Sequence, residues 1–251
     1  MEKSSLLEEL RIRRYLEDQT RMTYWWSKVR NIGVPMPQTK ILPFEWKDLV
    51  AIADPGVGNP EKVLEAVRRE ARFFGYPFFL RTDLASGKHD WKNSCFVASE
   101  DRLPRCLFGV VEANMLADIN PRAVVLRQYV PLESAFTAFW GELPISKERR
   151  YFVRDGKVVC HYPYWPEDAM RFPPGKEPEG WSEKLAELNR ETDDEIELLT
   201  GYAERLAAVL DGYWSLDFAK GRDGVWYFID AARGELSWHP ECSYCRNKLM
   251  V

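Results

Sequence analysis

Apolar and polar positions along this chain repeat with two periods. Val63, Leu64, Val67 and Ala71 recur at helical spacing between Pro60 and Gly75, which predicts a helix over about Pro60–Phe74. Behind the capping box Thr192-Asp-Asp-Glu195, Ile196, Leu199, Tyr202, Ala203, Leu206 and Leu210 repeat in the same way up to Asp211-Gly212. Leu6, Leu7, Leu10, Ile12, Tyr15 and Leu16 among charges predict one opening amphipathic helix from about Ser4 to Arg30, and a further helical span covers about Leu103–Ile119. Strand-like runs occupy Tyr76–Thr82, and Ala123–Val130 between Pro121 and Pro131. Glu148–Tyr162 reads as a hairpin about Asp155-Gly156, and Trp214–Ala231 as a second about Gly221-Arg-Asp-Gly224. Ile32–Pro43 is extended because its prolines disfavour helix, and the proline-rich stretch Pro163–Gly180 reads as an irregular loop. Helices alternate with hairpins and no run of βαβ units suggests a Rossmann sheet, so the expected class is α+β. The expected division is an N-terminal lobe 1–59, a small central lobe 60–130 and a C-terminal lobe 131–251.

The two hairpins concentrate chemistry on single faces. With a turn symmetric about Arg222 and Asp223, Asp217 falls opposite Phe228 and Asp230 opposite Ser215, which makes the two acids diagonal neighbours roughly 7–8 Å apart. That spacing lets both hold one divalent cation, while Trp214, Leu216, Phe218, Tyr227, Ile229 and Ala231 form the apolar face. The alternative is that one acid caps a turn or pairs with a nearby Arg. Pairing about Asp155-Gly156 sets Arg150 opposite His161 with Glu148 on the same face, available for ribose or phosphate, or for a cross-strand salt bridge.

Two more places carry chemistry. Arg81 ends a buried strand and the following loop, Asp83–Asp90, adds Ser86, Gly87 and Lys88, a combination suited to a polyphosphate; a solvated strand-end Arg is the ordinary alternative. The loop has neither the P-loop order nor the spaced glycines of a dinucleotide site. Gln128, Tyr129 and Val130 leave an apolar strand, where backbone groups can read an adenine edge or simply continue a core strand.

Composition narrows the classes. A chain of 251 residues with 45% hydrophobic and 14% aromatic content supports one large or two small folded domains rather than extended disorder. A net charge of −4 gives no bulk attraction to nucleic acid or anionic membrane, and no basic stripe interleaved with aromatics argues for direct nucleic-acid binding. The clusters Arg11–Arg14 and Lys147–Arg150 read as solvated faces. Charge enters the first residues too early for a secretory segment and no long apolar run occurs, so the expected location is the cytoplasm. Five scattered cysteines do not make a disulfide framework. His239-Pro-Glu-Cys242-Ser-Tyr-Cys245 resembles part of a zinc site, but a fourth ligand is not apparent, and thiols that simply pack are the alternative.

Taken in order, these features resemble the ATP-grasp superfamily: a strand with a phosphate-binding cation (Arg81), a polar loop (Asp83–Asp90), a helix, a hinge strand (Val124–Val130), an acidic-x-Arg strand (Glu148-Arg149-Arg150), a helix and a metal-bearing hairpin (Asp217, Asp230). Similarity covers about residues 30 to 240. Glu148-Arg-Arg-Tyr-Phe-Val-Arg-Asp-Gly-Lys-Val-Val and Ser215-Leu-Asp-Phe…Val-Trp-Tyr-Phe-Ile-Asp230 are most similar to the branch with the eukaryotic ATP-grasp chaperone that helps assemble translation initiation factor two, and its phage and bacterial relatives. The resemblance implies two α+β lobes enclosing ATP, with adenine at Gln128, Tyr129 and Val130, and phosphates near Arg81, Ser86 and Lys88. It also implies Glu148 and Arg150 at the nucleotide, Arg150 and Lys88 as catalytic residues, Mg²⁺ on Asp217 and Asp230, and a loop that closes over the phosphates. The implied activity is ligation of a carboxylate to an amine through an acyl-phosphate; the alternative is an ATP-binding chaperone or adaptor with a protein partner, for which Trp165, Trp181 and Trp238 are candidate exposed aromatics. Three departures stand out. Arg81 replaces the commoner Lys, Ala232 occupies the position of a metal-binding Asn, with Glu235 a candidate substitute, and no large extra domain is present.

Overall fold

In the computed structural model, which describes residues 2–54, 56–139, 142–171 and 178–240, the chain partitions into two units whose segments interleave. The first gathers the residues up to Met36, Lys147–Tyr164 and those from Asn189 onward; the second holds Pro37–Ser146 and Trp165–Leu188. This partition differs from the three consecutive lobes expected above.

The first unit begins with α1 (Glu2–Thr20) and α2 (Met22–Val29), where one continuous helix was expected. The break is at Arg21, whose backbone is extended (φ −61°, ψ 136°). Thr20 Oγ1 donates back to the Leu16 carbonyl at 3.0 Å, the kind of bond that bends helices, and the Trp25 indole donates to the Thr20 carbonyl at 3.2 Å. The expected amphipathic stripe corrects accordingly: Leu6, Leu7, Leu10, Ile12 and Tyr15 are exposed, and burial starts only at the break, with Met22, Trp25 and Val29.

In the second unit, β1 (Thr39–Pro43) and α3 (Trp46–Val50) precede α4 (Pro60–Phe74), which has the expected limits. Asn59 Oδ1 caps α4 by accepting from Lys62 N–H, and Gly75 ends it with φ 71°. Next come β2 (Phe78–Thr82), a 3₁₀ turn at Lys88–Asn93, β3 (Phe96–Val97), α5 (Leu103–Leu116) and β4 (Ala123–Gln128), followed by the small hairpin β5 (Ser134–Ala138) and β6 (Leu143–Ser146). The sheet order is β1-β4-β2-β3, all antiparallel. Phe78, Leu80, Val124 and Leu126 face α4 and α5 and make the core there. Alternation therefore turns Phe79, Arg81, Val125 and Arg127 to the other side of the sheet.

The chain returns to the first unit through β7 (Glu148–Arg154) and β8 (Lys157–Pro163). It then passes α6 (Glu167–Met170) and α7 (Trp181–Asn189), and continues to α8 (Asp193–Ala207), β9 (Tyr213–Lys220) and β10 (Trp226–Arg233). Thr192 caps α8 as expected, accepting from Glu195 N–H at 3.3 Å. The β7–β8 turn is the expected Asp155-Gly156, with φ 49° and 82°, the left-handed pair that tight hairpin turns require. Sheet order is β10-β9-β7-β8. One face buries Trp214, Leu216, Phe218 and Phe228, with Trp25 packed edge-on to Phe228 at 5.5 Å and Tyr202 of α8 tilted against Phe218 at 6.4 Å. The opposite face carries the acids.

Candidate functional site

Two one-residue irregularities set that face. The β9–β10 turn spans five residues, 221–225, and a bulge at Ile229 shifts the register again between Phe228 and Asp230. Phe218 therefore meets Phe228, and Asp217 stands directly opposite Asp230 rather than diagonal to it. The apolar face changes with it: Trp226 and Phe228 are buried in place of Tyr227 and Ile229, which are half-buried. A second bulge, at Val159, sets Arg150 opposite Tyr162, whereas His161 was expected there. His161 pairs with Tyr151, on the other face, and bonds Glu191 at 3.1 Å.

The outcome is a row across all four strands, Asp230–Asp217–Arg150–Tyr162. Arg150 grips Asp217 with two parallel bonds, Nε to Oδ1 at 2.7 Å and Nη2 to Oδ2 at 2.8 Å. Its Nη1 donates to the Trp238 carbonyl at 3.3 Å, and the guanidinium lies 4.7 Å over the Tyr164 ring. Burial alone would lower the Arg150 pKa, but the Asp217 carboxylate, with Asp230 beyond, outweighs it and drives the pKa up. Asp230 Oδ1 accepts from the Ala231 amide at 3.0 Å. Glu148 lies two residues before Arg150 on the same face and is buried. Ala232 shares the face opposite Ser215 and offers no ligand atom; Glu235 does not replace it, since both of its oxygens accept from Arg233, at 3.1 and 2.8 Å.

The reverse side of β7 overturns the expectation that Lys147–Arg150 lies on a solvated face. Arg149 is fully buried, donates to the carbonyls of Glu148 and Arg190 at 3.0 and 2.9 Å, and faces the carboxylates of Glu191 at 3.4 Å and Glu195 at 3.7 Å. Glu195 also takes Lys147 at 2.8 Å and Lys220 at 3.3 Å. Burial would raise the Glu195 pKa, but the hydrogen bond and charge of Lys147, and then Lys220, hold it below the usual carboxylate value.

In the second unit, Arg81 is buried and its guanidinium holds the turn that follows it, donating to the carbonyls of Thr82 at 3.0 Å and Leu84 at 3.3 Å. Arg127, which sequence reasoning passed over, is buried on the same face, diagonal to Arg81, with Nε donating to Thr39 Oγ1 at 3.1 Å. Its alternation with Val125 was the available signal. The Asp83–Asp90 loop is tied at both ends. Asp83 Oδ1 accepts from the Arg122 and Ala123 amides at 2.9 and 3.3 Å, and Ser94 Oγ donates to the carbonyls of Gly87 and Asp90, both at 2.6 Å. Ser86 is half-buried, and Lys88 Nζ sits 4.3 Å over the ring of Trp165, which is itself buried rather than exposed. His89 stacks on Phe139 at 4.5 Å; burial, then the charge of Lys88, lowers its pKa. At the hinge, the Gln128 amide already donates to the Gln38 carbonyl at 2.8 Å, Tyr129 packs edge-on to Phe96 at 5.0 Å, and Val130 is half-buried.

The structure thus brings Asp217, Asp230, Arg150 and Glu148 onto one face in the first unit, and Arg81 beside Arg127 in the second. Among the described residues no three His, Cys, Asp or Glu side chains gather as a metal site. His239 is described; Cys242 and Cys245 lie outside the described residues. Trp238 is exposed and Trp181 half-buried. No described helix is long and apolar enough to cross a membrane.

Comparison with known proteins gives one family match, to an ATP-grasp domain model, the third family of its clade, over residues 69–248. No curated protein matches the sequence. Among solved structures, Cdc123 from Schizosaccharomyces pombe is 13% identical with a TM-score of 0.58, covering 87% of this chain and 85% of that one. Its C-terminally truncated form gives 11% and 0.57 over the same shares. N5-carboxyaminoimidazole synthase from Aspergillus clavatus, solved in complex with ADP and 5-aminoimidazole ribonucleotide, is 13% identical with a TM-score of 0.51, covering 87% of this chain but 45% of that one.

Proposed function

Because the chain belongs to the ATP-grasp domain family, we propose that it is an ATP- and Mg²⁺-dependent ligase acting in the cytoplasm, joining a carboxylate to an amine or similar nucleophile through an acyl-phosphate. The row Asp230–Asp217–Arg150 carries this reading. Two carboxylates directly opposed on neighbouring strands repel unless a cation accompanies them. Magnesium is often held by only one or two carboxylates, with phosphate and water filling the remaining positions, so Asp217 and Asp230 fit it despite Ala232. When bound, the ion would supply positive charge against the phosphoryl group being transferred.

The chain's own residues do the rest. Arg150 keeps Asp217 ionised and orients both of its oxygens, while Glu148 on the same face is available to the ribose. Arg81 and Lys88 supply positive charge for the phosphates, with Ser86 in the same loop, and Arg127 adds a third cation on the Arg81 face. Gln128, Tyr129 and Val130 flank the adenine. With the Gln128 amide engaged by Gln38, its edge is read by other backbone groups of that segment.

Calorimetric titration of ATP with and without Mg²⁺, followed by ADP release against a panel of carboxylates and amines, tests the proposal. Magnesium-dependent binding that Asp230→Ala abolishes supports it; no ATP binding under either condition overturns it. A second reading, an ATP-binding chaperone or adaptor for a protein partner, is favoured by Ala232, where the family resemblance leads one to expect Asn, and by a Cdc123 likeness that spans most of both chains. Tight ATP binding with no ADP release from any acceptor would select it.

A further inference from the structure

We propose that Cys160, His239, Cys242 and Cys245 form a structural zinc site that fastens the chain after β10 to β8. The sequence spaces His239, Cys242 and Cys245 with two residues between each, three donors of the right chemistry and one short of a tetrahedral set. The structure supplies the fourth. Cys160 of β8 carries its Sγ 3.1 Å from His239 Nε2, although 79 residues separate them in the chain. Zinc–sulfur and zinc–nitrogen bonds at the tetrahedral angle hold S and N about 3.5 Å apart, so the pair needs to open by only a few tenths of an ångström.

The histidine is held in a way that suits a ligand. Its Nδ1 is engaged by the Pro240 carbonyl, which leaves Nε2 directed at the thiol, and backbone carbonyls commonly orient metal-bound histidines in this manner. The ring is fixed against Phe152 at 4.2 Å and Tyr162 at 5.2 Å. Cys242 and Cys245 lie outside the described residues; by chain length alone, three residues reach up to about 10 Å, enough to return each thiol to the Cys160–His239 pair. The consequence touches the site above. Trp238, next to His239, gives its carbonyl to Arg150, so an ion at His239 would hold one of the partners of the guanidinium that grips Asp217.

The test uses the full chain prepared with zinc and dialysed against metal-free buffer, with metal measured by mass spectrometry. We expect one zinc per chain, and reconstitution with Co²⁺ in place of zinc should give the visible bands and thiolate charge transfer of tetrahedral sulfur ligation. Cys160→Ser, close in shape and half-exposed, should weaken zinc about 100-fold or more in competition with a chromophoric chelator, whereas His239→Cys should retain it. A wild-type chain without zinc and without the cobalt charge-transfer band, or a Cys160→Ser chain that binds zinc as tightly as wild type, overturns the proposal.

Discussion

Arg150 holds Asp217 through two parallel hydrogen bonds of 2.7 and 2.8 Å, and Asp230 stands directly across from Asp217 on the neighbouring strand. The two acids share a face but differ in what depends on them. Removing Asp217 strands a largely buried guanidinium, which costs about 3 kcal/mol. Removing Asp230 leaves that pair intact and relieves a like-charge opposition, so its cost stays within about 1 kcal/mol. Urea unfolding should show Asp217→Ala well below wild type and Asp230→Ala near it, while magnesium-dependent ATP binding is lost in both. Equal stabilities for the two variants would contradict the assigned role of the Arg150 pair.

Behind Arg150 the chain has buried a second cation. Arg149 depends on Glu191 and on Glu195, which also takes Lys147 and Lys220. Glu195→Gln should destabilise the fold by about 3 kcal/mol near neutral pH, because it leaves buried positive groups short of an anion. The sign with pH follows from the lowered pKa of Glu195: its contribution is complete above the ordinary glutamate value of 4.5 and is lost as pH falls through the lower folded value. The gap between wild type and variant should therefore narrow in acid, as urea midpoints across that range would report.

Much of this fold is legible because its signals are local. The Asn59 cap and Gly75 stop bound α4, Thr192 starts α8, and Asp155-Gly156 turns β7 into β8 within a few residues of where each signal stands. The bulges at Ile229 and Val159 are a different matter. Each is a single inserted residue with no distinctive side chain, yet each changes every pairing beyond it, so Asp217, Asp230 and Arg150 were placed on the right face and in the wrong rows. Arg149 was misread because its neighbours Lys147 and Arg150 resemble a solvated charge run, and its anions come from 41 or more residues away on and before α8. Arg127 was missed although its alternation with Val125 assigns it to the Arg81 face.

His89 gives a second, opposite titration. Burial, then Lys88, lowers its pKa from the ordinary 6.5, so the unfolded chain takes up the proton first as pH falls. Stability is unaffected by this group above 6.5, and is lost progressively below that value until the folded histidine also titrates. Between about pH 7.5 and about pH 5.5, wild type should lose more stability than His89→Phe, which keeps an aromatic partner for Phe139. Parallel losses in the two proteins would show that His89 is as readily protonated in the fold as in the open chain.

Two helical glycines offer a matched test of how α5 supports the Lys88 loop. A Cβ added at Gly109 would stand 2.1 Å from the Asn93 carbonyl oxygen, a backbone atom that cannot swing away, whereas one added at Gly201 in α8 meets nothing within 4 Å. Alanine gains up to about 1 kcal/mol of helix propensity at either site. At Gly201 that gain is unopposed, and Gly201→Ala should raise the melting temperature. At Gly109 the clash costs about 1–3 kcal/mol, outweighing the gain, and it pushes on Asn93 and Ser94. Ser94 holds the carbonyls of Gly87 and Asp90 on either side of Lys88 and His89. Gly109→Ala should consequently lower the melting temperature and weaken ATP binding together, which differential scanning calorimetry and ATP titration would measure. A Gly109→Ala chain with wild-type ATP affinity would separate the loop from the nucleotide.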